Sequence, residues 1–415
     1  MNLNKVINYI LVFILVAVSG FQYFYAYQEW LIIGFAFTLL ITYIRREEIY
    51  LDYKFFYILG LFVFWEVLQF VLLGGFNVIS VAGTFTRFLL AYLVIIILSK
   101  DFLSYYFNLI TVFSAISLFF YALIHIPAVL DFMMVISKTI FASPFKEGID
   151  EYEHNTNIII FNYHGYMYSP MRNSGPFWEP GAFSVFICIS LTFGLIIGKS
   201  LFSVDSIVQI IALITAYSTS GYLVFFILVL ASLIYKSRGL GSGIKLLLKG
   251  ILLPIVLVTV IVLIQSQEFL LPKIQNDILL ADETTTSRFG SALADYYKII
   301  ENPILGYGRR IENEYGNGNF DLDIMHRNSG ATRIVVQWGI LAILYYVLVI
   351  RSFKHVLRIY NPERAWHVFL PFIVLFLSGF SQSIYQYPFF MGLMFLEFIP
   401  EQVDETEETE LAVEQ

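Results

Sequence analysis

Charge is scarce in this 415-residue chain: 14% of residues are Asp, Glu, Lys or Arg, against 58% hydrophobic and 18% aromatic. A soluble domain carries about 25% charged residues, so a water-facing surface over most of the chain is excluded. Cysteine is nearly absent. The single Cys188, inside an apolar run, excludes an intramolecular disulfide framework and says nothing about redox compartment. There is no soluble domain, no nucleotide-binding phosphate loop and no sign of a nucleic-acid partner. No internal repeat is obvious, which weakens a transporter reading built on inverted repeats. The first apolar run, Val6 to about Phe24, lacks a small-residue cleavage site and reads as an uncleaved first span.

Apolar sequence is what the chain has in quantity. A helix needs roughly 17–25 apolar residues to cross the hydrocarbon core. About twelve stretches are candidates, near 6–25, 30–44, 55–73, 81–98, 102–124, 180–197, 203–217, 220–235, 250–266, 331–350, 366–385 and 388–400. The expectation is an all-α polytopic membrane protein with one transmembrane domain over residues 1–400. Lys5, Arg45, Arg46, Lys54, Lys100, Lys199, Lys236, Arg238, Lys245, Lys249, Arg351, Lys354, Arg358 and Arg364 fall at the N-terminus or in short connections on one side. Basic residues in short loops mark the cytoplasmic side, which puts both termini inside. The net charge of −7 misleads, because residues 401–415, EQVDETEETELAVEQ, are rich in acids and lack bases. That tail reads as a disordered cytoplasmic extension, and the rest of the chain is electrically balanced.

Two outer connections are long, at about 125–179 and 267–330, and long loops in compact proteins usually serve function. Arg172, Arg288, Arg309, Arg327 and Arg333 occupy or border them. Fixed positive charge on the outer face suggests a binder of anionic, lipid-linked ligands. Inside the spans, Glu66 and Arg87 are the clear ions, on consecutive antiparallel helices at similar depth. Intramembrane ions are expensive. Two readings stand: a structural Glu66–Arg87 pair, or Arg87 lining a phosphate-bearing cavity.

The first loop ends in MRNSGPFWEPGAFS. Pro180 suits a first helical turn, and Glu179 before it puts a carboxylate where the helix dipole favours one. Glu179 is then a cap ion-paired to Arg172, or a site residue that orients the arginine or handles a proton. Ser218 to Ser220 form a polar turn between two apolar stretches. In the second loop, SRFGSALADYYKIIENP fits an amphipathic helix. Phe289, Leu293, Tyr296 and Ile300 fall on one face, and Arg288, Ser291, Asp295 and Lys298 on the other. Ser287 can cap it, and Pro303, Gly306 and Gly308 end it. Such a helix lies in the membrane interface with its aromatics down.

His326 stands between that helix and the tenth span, flanked by Arg327 and Arg333. An imidazole of near-neutral pKa is a natural general base for a sugar hydroxyl, and guanidinium groups grip diphosphate oxygens bidentately. A lone loop histidine can equally be incidental. Asp321-Leu322-Asp323 has the spacing of a divalent-metal motif, but nucleotide sugars are cytoplasmic and this loop faces outward. No metal or cofactor is expected.

RNSGPFWEPGAFS resembles the arginine–glycine–glutamate–proline segment of O-antigen and exopolysaccharide polymerases, in the superfamily that also holds the O-antigen ligases. The Ser218–Ser220 turn resembles that family's Thr-Ser turn between the same two spans, and ENPILGYG its Pro…Gly-x-Gly turn after an arginine-led helix. The family's His-Asn pair is interrupted here, where the residues read His326-Arg327-Asn328. The resemblance covers residues 165–400 in consistent order. It implies a metal-independent, GT-C-like membrane glycosyltransferase of the bacterial inner membrane, acting at the outer face. The donor would be an undecaprenyl (polyprenyl) diphosphate-linked oligosaccharide, with a flippase and a chain-length regulator as partners. Arg172, Arg288, Arg327, Arg333 and Arg87 would bind diphosphate and glycan, and His326 or Glu179 would act as base. An O-antigen ligase using a lipid A core acceptor, a polysaccharide transporter or flippase, and an inactive structural assembly partner, which would not need arginines in both loops, are the alternative readings.

Overall fold

The structure is a computed structural model that describes residues 3–25, 27–46, 49, 51–74, 78–141, 156–236, 288–315, 329–361 and 368–401. His326, Arg327, the aspartates at 321 and 323, the Ser287 cap and the ninth span expected at 250–266 lie outside these residues. Among the described residues the chain is all-helical, with isolated bridges in place of strands.

The helices run α1 (Leu3–Gly20), α2 (Gln28–Ile44), α3 (Tyr53–Leu73), α4 (Val78–Leu98), α5 (Phe102–Leu123) and α6 (Pro127–Thr139). Then come α7 (Pro180–Ile196), α8 (Val204–Thr215), α9 (Thr219–Lys236), α10 (Arg288–Glu301), α11 (Gly330–Trp338), α12 (Ile340–Tyr360), α13 (Phe369–Ser381) and α14 (Pro388–Gly392). Among the described residues four helical stretches are long and apolar enough to cross a membrane: Leu3–Gly20, Tyr53–Leu73, Val78–Leu123 with its break at Ser99–Asp101, and Ile340–Tyr360. The shorter apolar helices α2, α7, α8, α9 and α13 join them. Large apolar side chains such as Ile32, Leu40, Phe64, Val71 and Ile343 stand exposed on outward faces. Such a surface fits a helical membrane protein.

One helix organises the rest. Along α7 nearly every side chain from Pro180 to Ile196 is buried, and a helix apolar all round belongs at the centre of a bundle. It packs against α5, α8, α9, α12 and α13. Its N-terminal residue, and so Glu179, therefore sits centrally at one end of the described helices.

That end is roofed by the first long loop. Gln22 donates its N–H to Pro176 O at 2.9 Å, and Asn162 Nδ2 donates to Phe177 O at 2.8 Å. Asn173 Nδ2 reaches Ser117 Oγ at 3.1 Å and Thr215 Oγ1 at 3.0 Å, tying the loop to the ends of α5 and α8. Helix α6, within the loop, was not expected from the sequence. At the opposite end lie Lys5, Arg45, Lys54, Lys100, Lys199 and Arg358. There Arg45 Nη1 meets Asn8 Oδ1 at 2.9 Å, and the Tyr360 hydroxyl donates to Lys100 O.

The tenth span differs from expectation. The sequence suggests one helix near 331–350, but the chain breaks at Gly339 (φ 57°, ψ −133°) into α11 and α12. A side chain at Gly339 would strike the carbonyl oxygen of Ile304, and glycine alone adopts this backbone without strain. The break lets the turn after α10 pair with the end of α11, through Tyr307 N to Val336 O at 2.8 Å and Gly308 N to Gln337 O at 3.0 Å. Arg351, Lys354 and Arg358 then lie on α12 itself rather than in a connection.

Candidate functional site

Glu179 adopts extended backbone angles (φ −153°, ψ 164°) before Pro180, and its carboxylate makes no capping bond to its own helix. It accepts instead from the Gln382 amide, just past the end of α13. Gly181 makes room for this contact. A Cβ there would stand 2.5 Å from Gln382 Nε2 and 2.8 Å from Glu179 Oε1.

The neighbouring residue, Ser381, accepts from Arg288 Nε at 3.1 Å through its carbonyl. Two consecutive residues at the end of α13 thus hold a carboxylate from the first long loop and a guanidinium from the second. Arg172 completes the group. Its guanidinium is buried and lies over the Tyr168 ring, 4.6 Å from the centroid. Burial holds its pKa below the usual arginine range; Tyr168, Glu179 and Tyr222 oppose that shift, and nearby Arg288 adds to it. The Ser218–Ser220 turn closes one side: Ser184 Oγ, in the second turn of α7, donates to Ser218 Oγ at 2.9 Å.

A second charged group lies on α3 and α4. Glu66 is buried, and its Oε1 accepts from Arg309 Nε at 2.9 Å and from Thr84 Oγ1 at 3.0 Å. Of the two readings of these ions, the direct Glu66–Arg87 pair is not the one formed: Arg309, from the turn after α10, takes the carboxylate. Arg87 lies within electrostatic range of Arg309, Glu66 and Tyr387. Tyr387 in turn is within electrostatic range of both Arg87 and Glu179. Around Glu179 the rings of Tyr25, Trp178 and Tyr387 cluster, with centroids 5.0 Å (Tyr25–Trp178) and 5.4 Å (Trp178–Tyr387) apart.

The amphipathic helix forms as expected, from Arg288 to Glu301. Its polar face is the one that packs on the protein. Ser291 and Asp295 are buried, with Thr332 Oγ1 donating to Asp295 Oδ2 at 2.6 Å. Phe289, Leu293, Tyr296 and Ile300 are exposed. That packing points Arg288 inward toward Ser381. Arg333 is held by buried Glu314, Nη1 to Oε2 at 2.5 Å, which occupies part of its hydrogen-bonding capacity.

The structure thus gathers Arg172, Glu179 and Arg288, while Arg87 shares electrostatic range with Tyr387 and with the Glu66–Arg309 pair. Gln382, Ser381, Tyr168 and Tyr387 join the site without any signal in the sequence. Chemically, the arrangement offers guanidinium groups to an anion, a carboxylate held by an amide, and aromatic rings beside it. No family model, no curated protein and no solved structure matches the chain.

Proposed function

We propose that the protein is a polysaccharide polymerase. It transfers a polyprenyl diphosphate-linked glycan onto the acceptor sugar of another lipid-linked repeat unit, at the outer face of a bacterial inner membrane. Arg172 and Arg288, with Arg87, neutralise the diphosphate; charge held ready for a departing group is a large term in catalysis. The acceptor hydroxyl attacks the anomeric carbon as the bond from that carbon to the phosphate oxygen breaks. Glu179 or His326 takes the hydroxyl proton, the polyprenyl diphosphate leaves, and the single displacement inverts the anomeric configuration. The chemistry needs no metal.

One observation carries the reading: the consecutive residues Ser381 and Gln382 bind Arg288 and Glu179, bringing both long loops to the end of α13. The basic residues at the opposite end support the orientation, since that end would face the cytoplasm. The exposed apolar face of α10 supports an interfacial position beside a lipid-borne substrate.

Elongation of polyprenyl diphosphate-linked repeat units by purified protein tests it. Wild type should build a ladder of products, and Arg172→Ala and Arg288→Ala should each lose about a hundredfold or more in rate. No ladder from folded wild type would reject the polymerase. Transfer to a lipid A core acceptor instead would make the enzyme a ligase.

A further inference from the structure

At the end opposite this site, a cavity of about 350 Å³ opens between the start of α3 and the last turns of α12. Lys54, Arg351, Lys354 and Arg358 line it, together with Asp52 and Glu397. Its cations outnumber its carboxylates, and both carboxylates are engaged locally. Asp52 Oδ1 accepts from the backbone N–H of Lys54 at 2.8 Å, and Glu397 Oε2 meets Arg351 Nε at 3.3 Å. We propose that this cavity binds the phosphate headgroup of an anionic phospholipid.

Basic residues at this end also follow from the topology of a membrane protein, and topology alone requires only that they be present. A cavity that gathers cations from elements almost three hundred residues apart goes beyond that. The helix surfaces leading to it identify the ligand as a lipid rather than a free anion. On α3, Tyr57, Leu61 and Phe64 follow Lys54 along one face and are 73%, 41% and 60% exposed. On α12, Val347 and Ile343 precede Arg351 along one face and are 47% and 56% exposed. Each apolar stripe runs along its helix and ends at the cations. A molecule with acyl chains and a phosphate group matches both parts at once; a soluble anion has no use for the stripes. The proposal rests on these helices lying in a bilayer and is independent of the glycan chemistry at the other end.

The test reconstitutes full-length protein in phosphatidylcholine nanodiscs with and without phosphatidylglycerol, then extracts it and measures the lipid retained. Wild type should retain phosphatidylglycerol over phosphatidylcholine. Lys354→Gln and Arg358→Gln should each cut that preference about fivefold, the worth of one basic residue near an anionic membrane surface, with phosphatidylcholine retention unchanged. Undiminished phosphatidylglycerol retention in both variants would overturn the proposal. So would displacement of the lipid by inorganic phosphate at matched concentration, which would assign the cavity to a soluble anion. A further arm needs no variant: phosphatidylglycerol added to detergent-solubilised wild type should raise its Tm more than phosphatidylcholine does, and an equal rise with both would also overturn it.

Discussion

The Gln382 amide donates to the Glu179 carboxylate across 203 positions of the chain. Because Glu179 precedes α7, buried along nearly its whole length, and Gln382 follows the end of α13, the contact fixes the relation of two elements as well as the carboxylate. Gln382→Ala is expected to slow elongation on the order of ten- to a hundredfold, the worth of a hydrogen bond to a charged group. Gly181→Ala should do the same by pushing the two groups apart, while substrate affinity changes little. Steady-state kinetics on both variants checks this; unchanged rates would mean the carboxylate acts without that amide.

Arg309 neutralises a carboxylate buried between α3 and α4. Arg309→Ala removes the guanidinium in contact with that carboxylate, leaving it Thr84 and the more distant Arg87, and should cost about 1–3 kcal/mol of stability. Adding Glu66→Gln to the same protein should restore much of the loss, since the two residues share one interaction. Thermal unfolding of the single and double variants in detergent measures it. Equal loss in both would show that Arg309 acts through some other contact.

Gly339 separates α11 from α12 with backbone angles that other residues avoid. Gly339→Ala should destabilise by at least about 1–3 kcal/mol, because the new methyl group meets Ile304 O as well as the strained backbone. A melt indistinguishable from wild type would mean the break is not needed.

Burial lowers the pKa of Arg172. A base with a lowered pKa keeps its proton at low pH and loses it only as pH rises, and an arginine starts from far above neutrality. Diphosphate binding through Arg172 should therefore be flat from about pH 6 to pH 9 and weaken only in stronger alkali. Binding isotherms across that range test this. A step near neutrality would point to another titrating group, with His326 the first to examine.

Much of the site was legible in the sequence. Glu179-Pro180 marks a helix start from local chemistry alone, and the helical spacing of Phe289, Leu293, Tyr296 and Ile300 places Arg288 on the opposite face. The partners were not legible. Gln382 and Tyr168 carry no distinguishing local pattern, and their roles arise only when α13 and the first loop fold against α7. The contact partner of Glu66 is not legible for a similar reason: equal depth on adjacent helices makes Arg87 one candidate, but a turn far along the chain brings Arg309 to the carboxylate. The break at Gly339 follows an amphipathic stretch, GATRIVVQW, whose apolar residues keep helical spacing into the next span. The positive-φ requirement there depends on the approach of Ile304, which no local pattern encodes.

The most direct test measures the affinity of purified protein for a polyprenyl diphosphate-linked oligosaccharide, with wild type, Arg172→Ala and Arg288→Ala compared at one salt concentration. If residues of both loops grip one diphosphate, each variant should bind on the order of ten- to a hundredfold more weakly while keeping its wild-type Tm. Wild-type affinity in either stably folded variant would contradict a shared diphosphate site.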